Sequence, residues 1–327
     1  MYHGDARRNA SGRILGRKAA IGRFAAVDRA VWDAAHALFP VRITRSWADR
    51  IEHADDPLAR QVLPDVAELE TRDDDVEDPV GDRQKRPIPW VVQKHADRAL
   101  LLVTRRCHLH CRYCFRRDQT GPDDPTPAEL DRAIDWILAR GLEEVILSGG
   151  DPLTLPDDRL AAILDRLAPV PVRRIHTRAP ITAPERVTDR LVGLLAERRP
   201  IWIALHSNHA NEIDETVAAG IRRLKDAGLP LLNQSVLLRG VNDDPEVLAA
   251  LCRKLVRLGV VPYYLHHPDA VRGAGHFRVP IEEGLRIHAA LAERVSGVAL
   301  PRYVIDPPDG SGKIDVRSVV DATGAVS

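Results

Sequence analysis

The sequence predicts an α/β protein built as a barrel, or a partial barrel, of parallel strands behind a helical N-terminal region. From residue 98 onward, short β-rich runs alternate with longer amphipathic stretches. These stretches are long enough to be the crossover helices that parallel strands require. Polar, chemically capable residues recur where the strands are predicted to end, and barrel enzymes assemble their active sites at that face. A doubly wound open sheet remains the competing architecture.

The first 97 residues are predicted to form a mainly helical region that ends in an extended linker. Residues 24–40 and 57–70 have helical apolar spacing, and no clear strand pattern appears before residue 98. Residues 71–90 are highly charged and contain prolines, which predicts an extended connection. We expect the barrel to span residues 98–316 and a short tail to cover residues 317–327.

Seven strands are predicted in the barrel, at residues 99–104, 143–148, 172–177, 201–206, 231–238, 260–266 and 302–306. Helical patterns fill the intervals, and six or seven strand–helix units are enough for a complete or a partial barrel. The polar residues at the strand ends are Cys107, Ser148 to Asp151, His176, His206, Gln234, His266 to Asp269 and Asp306. We expect their side chains to form one composite, central site.

Charge and hydropathy exclude several classes of function. Lys plus Arg and Asp plus Glu both number 47, so there is no basic excess to indicate binding to nucleic acid or to an anionic membrane. No apolar run reaches the ~18 residues that cross a bilayer. The N-terminal sequence lacks the apolar stretch of a secretory signal. The sequence therefore predicts a cytoplasmic protein that binds neither nucleic acid nor membrane.

Three of the four cysteines, Cys107, Cys111 and Cys114, follow the first barrel strand closely. Three thiolates on one loop can hold three corners of a 4Fe–4S cluster and leave the fourth iron open to another ligand. A structural zinc site that adds His108 or His110 to the cysteines is the alternative on spacing alone. Under that alternative the chain would be a zinc-binding barrel protein without catalytic activity.

Two glycine-containing segments have the composition of ligand-binding loops. Lys313 ends the run of residues 309–313, and such a loop can bring a lysine amine into a pocket to form a Schiff base with pyridoxal phosphate (PLP). A phosphate-binding P-loop is excluded because its full spacing is missing and Ile314 follows the lysine. A surface lysine is the plain alternative. Gly149 and Gly150 end a strand, which predicts either close approach of a ligand or a tight turn.

The C-x3-C-x2-C spacing, with an aromatic residue before the last cysteine, resembles the signature of the radical S-adenosylmethionine (SAM) superfamily. That resemblance implies a partial (β/α)6 barrel and a 4Fe–4S cluster whose open iron binds SAM for cleavage to a 5′-deoxyadenosyl radical. The chain further resembles the lysine 2,3-aminomutase family, which moves the α-amino group of lysine to C3 and uses PLP as a second cofactor. The segments that carry this second resemblance are residues 148–153, 208–216, 233–243, 273–280 and 306–313.

The family resemblance implies a role for each candidate residue. Lys313 is expected to attach PLP, and Arg98 to lie near the PLP phosphate. Arg116 is expected to clamp the substrate α-carboxylate, a task that suits a planar guanidinium. Asp269 and Asp306 are expected to hold the ε-ammonium, and because two acids would repel glutamate, lysine is the favoured substrate. The residues expected to contact SAM are Gly149, Gly150, Asp151, His206 and Gln234.

Without the resemblance, these residues have plainer explanations. His206 could equally be a barrel histidine whose hydrogen bonds are made within the protein. Arg98 could be a solvated residue at the start of a strand. Arg116, Asp269 and Asp306 could each belong to a surface ion pair. The chain also departs from the family, which usually has more glycines where Asp309 and Ser311 stand. The geometry of the lysine loop is therefore a point to examine.

The chain resembles most the short form of the family, which supplies β-lysine to a ligase that modifies elongation factor P. Only 14 residues follow Lys313, and the zinc-binding cysteines of the long members have no counterpart there. Residues 306–313, in contrast, look more like the enzymes that act on free lysine. We expect a lysine substrate, an electron donor such as flavodoxin or ferredoxin, and a functional link to elongation factor P. An aminomutase acting on another amino acid, such as glutamate, is the alternative.

Overall fold

The structure is a computed structural model, and it describes residues 14–323. Residues 1–13 and 324–327 lie outside the described residues. The N-terminal segment in which no secretory signal is expected, at the start of the predicted helical region, and the end of the predicted tail therefore lie outside the described residues. Within residues 14–323, every helix is too short or too polar to span a bilayer.

A single nine-stranded sheet forms the centre of the protein, and its strands follow one another in space in the order of the chain. Strands β2 to β8 run parallel, whereas β1 and β9 are antiparallel additions at the two edges. The strands are β1 Val91–Val92, β2 Arg98–Thr104, β3 Glu144–Gly149, β4 Val172–Thr177, β5 Ile201–Leu205, β6 Leu231–Val236, β7 Val260–His266, β8 Arg302–Ile305 and β9 Ile314–Asp315.

The predicted partial barrel is confirmed. Six strand–helix units connect β2 to β8, and no pairing between β1 and β9 closes the sheet within the described residues. The doubly wound alternative is wrong, because the strand order never reverses as it does in that fold. The edge strands β1 and β9 were not predicted, since a strand of two residues is too short to show an alternating pattern.

Most helices lie within the segments where the apolar spacing predicts them, with shorter bounds. The helices Arg17–Arg23, Arg45–Asp49, Ala179–Thr182 and Val316–Thr323 were not predicted, and the last of them occupies part of the predicted tail. The helices of the N-terminal region are α1 Arg17–Arg23, α2 Arg29–Leu38, α3 Arg45–Asp49 and α4 Pro57–Arg60. Those of the barrel are α5 Pro127–Ala139, α6 Asp157–Arg166, α7 Ala179–Thr182, α8 Asp189–Glu197, α9 Glu215–Asp226, α10 Pro245–Arg257, α11 Ile281–Ala292 and α12 Val316–Thr323. Single 3₁₀ turns lie at Val66–Leu69, Arg83–Lys85, Arg117–Gln119, Pro152–Thr154, Pro184–Arg186, Ala210–Glu212, Gly275–Phe277 and Gly297–Ala299.

Local sequence accounts for the helix ends. Helix α5 begins at a capping box, in which the Thr126 hydroxyl accepts from the Glu129 backbone N–H and the Glu129 carboxylate accepts from the Thr126 backbone N–H. The pattern predicted over residues 57–70 is divided between α4 and the 3₁₀ turn Val66–Leu69. Pro64 stands between the two pieces, and a proline inside a helix removes a backbone hydrogen bond.

The N-terminal helices and the barrel share one hydrophobic core. Trp32 and Trp47 are fully buried and belong to the same cluster as Leu101 of β2 and Leu147 of β3. Burial of two indoles contributes strongly to this packing, because aromatic side chains remove large apolar areas from water. The N-terminal region therefore rests directly on the strands that carry the candidate site. The domain limits drawn at residues 97 and 316 stay a prediction.

Candidate active site

The structure brings nearly all of the predicted site residues to one cavity of about 280 Å³ at the carboxyl ends of the parallel strands. The predicted residues that line it are Cys107, Cys111, Cys114, Arg116, Gly149, Gly150, Asp151, His206, Gln234, Asp269, Asp306 and Lys313. Arg98 lines an adjoining cavity of about 420 Å³, which is also lined by Arg116, Asp306 and Lys313. The two cavities therefore share the charged residues at their junction.

The three cysteines of the loop after β2 are free thiols that face the first cavity. Burial raises the pKa of the Cys114 thiol to about 11 and raises the pKa of the Cys107 thiol well above its usual range. A thiolate at these positions therefore requires a neighbouring cation, which a bound metal centre would supply. Within the described residues, no group of three or more His, Cys, Asp or Glu side chains is arranged to hold a single metal ion.

The two histidines of the zinc alternative have other neighbours. His110 Nδ1 lies 2.7 Å from the carbonyl oxygen of Pro40, and its ring stacks on Phe39 with a centroid distance of 4.9 Å. His108 lines the cavity, and its Nε2 lies 3.4 Å from the carbonyl oxygen of Leu153. His110 therefore faces the N-terminal region. A cubane cluster spreads its thiolates over separate iron atoms and needs no histidine here.

A buried ionic cluster attaches the cysteine loop to the N-terminal region. Arg112 is fully buried, and its Nε and Nη2 donate to the Glu68 carboxylate at 2.8 and 2.5 Å. Arg112 Nη1 donates to the carbonyl oxygen of Phe39 at 2.9 Å. Arg117 Nη2 reaches the same Glu68 carboxylate at 3.0 Å. Sequence reasoning missed these residues, because nothing in the spacing of positions 68 and 112 indicates that they meet.

The glycine pair at the end of β3 is packed against the start of the cysteine loop. Gly149 has a φ of +114°, and a Cβ on Gly149 or Gly150 would collide with the carbonyl oxygen of Thr104 or Arg106, respectively. Gly150 N donates to Thr104 O, and Asp151 N donates to Arg106 O, each at 2.7 Å. The glycines are therefore required by a close approach of backbone to backbone, and they also line the cavity.

The Asp151 carboxylate joins the ends of β3 and β4. It accepts hydrogen bonds from Leu153 N at 2.9 Å, Thr177 Oγ1 at 2.7 Å and Arg178 N at 2.8 Å. Asp151 is buried, so these three donors satisfy an otherwise costly charge. The carboxylate therefore holds the ends of β3 and β4 together in the cavity wall. Its predicted contact with SAM stays a prediction.

Three further side chains on the cavity wall differ in how well their polar atoms are paired. His206 Nε2 lies 2.8 Å from the Tyr113 hydroxyl, and burial lowers the pKa of His206 well below its usual range, so the ring is neutral. His176 Nε2 and Gln234 Nε2 are buried without a hydrogen-bond partner. Unpaired buried polar atoms are rare in folded proteins, and a ligand in the cavity would satisfy them. His176 was noted only as a strand-end residue in the sequence.

A row of alternating charges connects the two cavities. Arg116 Nη2 lies 2.7 Å from Asp82 Oδ2, and Lys94 Nζ lies 3.0 Å from Asp82 Oδ1. Lys94 Nζ is also 4.0 Å from Asp306 Oδ1, whose other oxygen is 3.0 Å from Lys313 Nζ. Asp82 comes from the segment predicted as an extended connection, residues 71–90, and Lys94 lies between that segment and the first barrel strand. Sequence reasoning assigned them no role, because charged linker residues are usually solvated.

Arg116 already holds a carboxylate in this structure, and that carboxylate is Asp82. Its Nε and Nη2 donate to Asp82 Oδ2 at 3.0 and 2.7 Å, and its Nη1 donates to Ser148 Oγ at 3.2 Å. Burial alone would raise the pKa of Asp82, but Arg116 and Lys94 outweigh it and lower the pKa to about 2. The guanidinium is therefore oriented by an internal partner before any substrate arrives.

The two acids predicted for substrate binding are in different states. Burial and the neighbouring Asp306 raise the pKa of Asp269 to about 7. Burial also opposes ionisation of Asp306, but Lys313, His266 and Lys94 outweigh it and lower the pKa of Asp306. Asp306 is consequently ionised at neutral pH, whereas Asp269 is partly protonated. An additional cation between the two acids would ionise Asp269 fully.

The loop that carries Lys313 accommodates Asp309 and Ser311, at positions where the family usually has more glycines. Asp309 Oδ1 accepts a hydrogen bond from Ser311 N at 2.8 Å, which forms a local side-chain turn. Gly310 adopts a φ of +72°, and a Cβ there would lie 2.8 Å from the side chain of Lys85 and 3.0 Å from the carbonyl oxygen of Gly81. The position that needs glycine therefore has it, and Asp309 stabilises the turn beside it.

Arg98 has features of a solvated residue at the start of a strand and also of a residue that lies near a phosphate group. Its Nη1 donates to the adjacent Asp97 at 2.9 Å, and about a third of its side chain is exposed. It nevertheless lines the second cavity together with Lys94, Arg174 and Arg302. The cavity is also lined by three acids, Asp82, Glu144 and Asp306, but with Arg116 and Lys313 its basic side chains number six, and this excess suits a phosphate group.

Comparison with known proteins gives a consistent result. A family model described as the Radical SAM superfamily matches residues 101–252. The L-lysine 2,3-aminomutase of Clostridium subterminale is 41% identical over 267 residues, which cover 80% of this chain and 64% of that relative. The chain thus spans less than two thirds of that relative's length. The L-lysine 2,3-aminomutase of Haemophilus influenzae is 39% identical over 277 residues, which cover 82% of each chain.

Among solved structures, Streptococcus suis SuiB bound to the precursor peptide SuiA matches with a TM-score of 0.50 and 13% sequence identity. The match covers 62% of this chain and 46% of that one. At this identity the likeness is one of fold alone.

Proposed function

This chain belongs to the L-lysine 2,3-aminomutase family of radical SAM proteins, and from that membership we propose that it converts L-lysine to β-lysine by moving the α-amino group to C3. One observation carries the proposal. A single cavity is lined both by three free cysteines and by Lys313 with its acidic neighbours Asp269 and Asp306. A site that must start a radical and hold an amino acid needs both sets of residues within one enclosed space.

The superfamily implies a 4Fe–4S cluster and SAM, and the residues present fit both. The cysteines provide three thiolate donors on one wall. The unpaired Nε2 atoms of His176 and Gln234 offer hydrogen bonds to a polar cosubstrate in the same cavity. Bound to the cluster, SAM supplies on one-electron reduction the radical that removes a hydrogen atom from the substrate. We expect a flavodoxin or ferredoxin to donate that electron.

PLP is proposed as the second cofactor, and the residues also fit it. Lys313 Nζ faces both cavities and provides the amine for a Schiff base. Lys94, Arg98, Arg174 and Arg302 surround the adjoining cavity, where they would neutralise a phosphate group. When bound, PLP would supply a conjugated ring system that delocalises an unpaired electron while the amino group migrates.

The charged residues define how lysine would be held. Arg116 is oriented by Asp82 and Ser148 and lines the cavity, so the N–H groups that it does not donate to them can receive the α-carboxylate. Asp306 pairs with Lys313 at 3.0 Å, and once that amine is engaged elsewhere Asp306 is free to bind the substrate ε-ammonium. Asp269 completes the pair of acids. Glutamate would bring a third carboxylate to the same place and be repelled.

Use of the product for modification of elongation factor P is the finer form of this proposal. It rests on the resemblance to the short form of the family. An assay that couples the purified protein to an elongation factor P ligase tests it: transfer of the product to the factor supports the link, and a product that the ligase rejects contradicts it.

The function itself is tested by anaerobic reconstitution with iron, sulfide and PLP, followed by incubation with SAM, a reductant and either lysine or glutamate. We expect β-lysine from lysine and no β-amino acid from glutamate, with an absorbance band for the cluster and another for bound PLP. A colourless protein that retains zinc at the cysteines would overturn the proposal. So would turnover of glutamate in preference to lysine.

A further inference from the structure

Arg178 places a positive charge against one of the three cysteines. It follows β4, directly after Thr177, and its side chain is almost entirely buried. Its Nη1 donates a hydrogen bond to Cys111 Sγ at 2.7 Å. Within the described residues, neither Cys107 nor Cys114 receives a hydrogen bond from a guanidinium on its sulfur. Cys114 receives one from the backbone N–H of Arg116 instead.

Four other side chains also hold the guanidinium of Arg178. Its Nη2 donates to Gln61 Oε1 at 2.6 Å and to Glu212 Oε2 at 3.0 Å. It also lies over the rings of Trp47 and Tyr113, at 4.7 and 5.6 Å from their centroids. These four contacts keep the Nη1 N–H of Arg178 pointed at the Cys111 sulfur.

The residues that hold Arg178 are themselves anchored. Glu212 is fully buried, and its Oε1 accepts from the backbone N–H groups of Asn208 and His209 at 2.9 and 3.0 Å and from Gln61 Nε2 at 3.0 Å. These donors keep its charge beside Nη2 of Arg178, whereas the Cys111 sulfur accepts from Nη1. The positive group therefore lies nearer to the sulfur than its counter-charge does.

We propose that Arg178 raises the reduction potential of the iron–sulfur cluster through its charge-assisted hydrogen bond to the Cys111 sulfur. Reduction adds one electron to the cluster, with no bond made or broken. A fixed positive group beside a ligand sulfur stabilises the more negative, reduced form more than the oxidised form. Arg178 is thus a positioning residue that makes the electron from the donor easier to accept. The inference rests on the proposed function, because it requires the three cysteines to hold the cluster.

Two substitutions and one control test this role. Arg178→Gln removes the charge and keeps a donor of shorter reach, and Arg178→Lys keeps a charge without the planar fork. Arg186→Gln is the matched control, because Arg186 is equally buried on the same side of the barrel and donates to the carbonyl oxygens of Leu153 and Leu155, but contacts no cysteine. Each reconstituted protein is titrated anaerobically, and the reduced cluster is followed by electron paramagnetic resonance.

We expect the midpoint of Arg178→Gln to move to a more negative potential, that of Arg178→Lys to move less, and that of Arg186→Gln to stay at the wild-type value. An Arg178→Gln protein that keeps its full iron content and titrates at the wild-type potential overturns the proposal. Loss of iron in both Arg178 variants, with Arg186→Gln intact, also overturns it, because Arg178 would then serve cluster assembly. A wild-type protein that takes up no iron contradicts the proposed function instead.

Discussion

The two sides of the central cavity are held together in different ways. On the cysteine side, defined by residues 107–114, 149–151 and Arg178, polar groups are tied down by backbone hydrogen bonds and buried ion pairs. On the lysine side, defined by Asp269, Asp306, Lys313 and Lys94, charged side chains pair with other charged side chains: Asp306 lies 3.0 Å from Lys313, and Lys94 lies 3.0 Å from Asp82. The first arrangement suits a permanently bound inorganic group. The second suits partners that must be exchanged when a charged substrate arrives.

Replacing one cysteine should have the largest effect, because it should remove the function of the cysteine side and leave that of the lysine side intact. We expect Cys111→Ser to abolish cluster binding, because a hydroxyl is a poor iron ligand, while attachment of PLP at Lys313 persists. Iron content per chain and the PLP absorbance are the two measurements. Cys252→Ser is the control, since Cys252 is buried in α10 outside the cavity and should leave the iron content unchanged. Loss of both cofactors on Cys111→Ser would show that the two sides are not independent.

Replacing Lys313 should produce the reciprocal result. Lys313→Ala removes the amine that is expected to form the Schiff base, so borohydride trapping of PLP should disappear while the reduced protein still cleaves SAM. Lys313→Arg is the matched control: it keeps a cation beside Asp306 but cannot form the Schiff base. Borohydride-trapped PLP in either variant would refute the assignment of Lys313.

Within the lysine side, the two acids should differ in importance. We expect Asp306→Asn to lower kcat/KM for lysine about 100-fold, because loss of one member of a buried ion pair costs roughly 3 kcal/mol. Asp269→Asn should have a smaller effect at pH 7, where Asp269 already carries a proton part of the time. Steady-state kinetics of both variants at pH 7 give the comparison. Equal losses would mean that the acids share the ammonium evenly.

The pH dependence of lysine binding should report Asp269 directly. The pKa of Asp269 is raised to about 7, so the group is protonated below that pH and ionised above it. The ε-ammonium should bind more tightly to the ionised form, so the affinity should be nearly constant well above pH 7 and should fall below it, by at most about tenfold per pH unit and only until the weaker binding to the protonated form is reached. Dissociation constants measured between pH 6 and 8 test this expectation. The dependence should vanish in Asp269→Asn, and its persistence there would assign it to another group.

The smallest effect is expected in the loop that carries Lys313. Gly310→Ala should lower the free energy of unfolding by about 2 kcal/mol, through its positive φ and through contact with the Gly81 backbone. Gly141→Ala is the control, because Gly141 also has a positive φ but no atom lies within 4 Å of the added Cβ. Urea unfolding of both variants isolates the packing contribution as their difference. Equal values would show that the close approach contributes nothing.

Much of the fold was accessible from the sequence because strands and helices differ in their apolar period. The seven parallel strands were predicted nearly to the residue, since each is a compact β-rich run and all but β8 precede an amphipathic helix. The motifs then placed the cysteines and the glycines at strand ends, and the strand ends meet at one face. That the structure gathers these residues around one cavity follows from the topology.

The parts of the site that were not predicted from the sequence depend on contacts between distant segments. Asp82 is 34 residues from Arg116, and Gln61 is 117 residues from Arg178. No local spacing predicts such pairs, because the N-terminal region meets the barrel only after the tertiary fold has formed. Short edge strands such as β9 were missed for the same reason: their residues are extended because a neighbouring strand pairs with them.

The contact between Gly81 and Gly310 also limits how the protein can evolve. A Cβ on Gly81 would lie 2.5 Å from the backbone nitrogen of Gly310, and one on Gly310 would lie 3.0 Å from the carbonyl oxygen of Gly81. Neither loop can lengthen or gain a side chain there unless the other moves. Variation in the segment that brings Asp82 to Arg116 is thereby coupled to variation in the segment that carries Lys313, and new specificities are more accessible through changes elsewhere on the cavity wall.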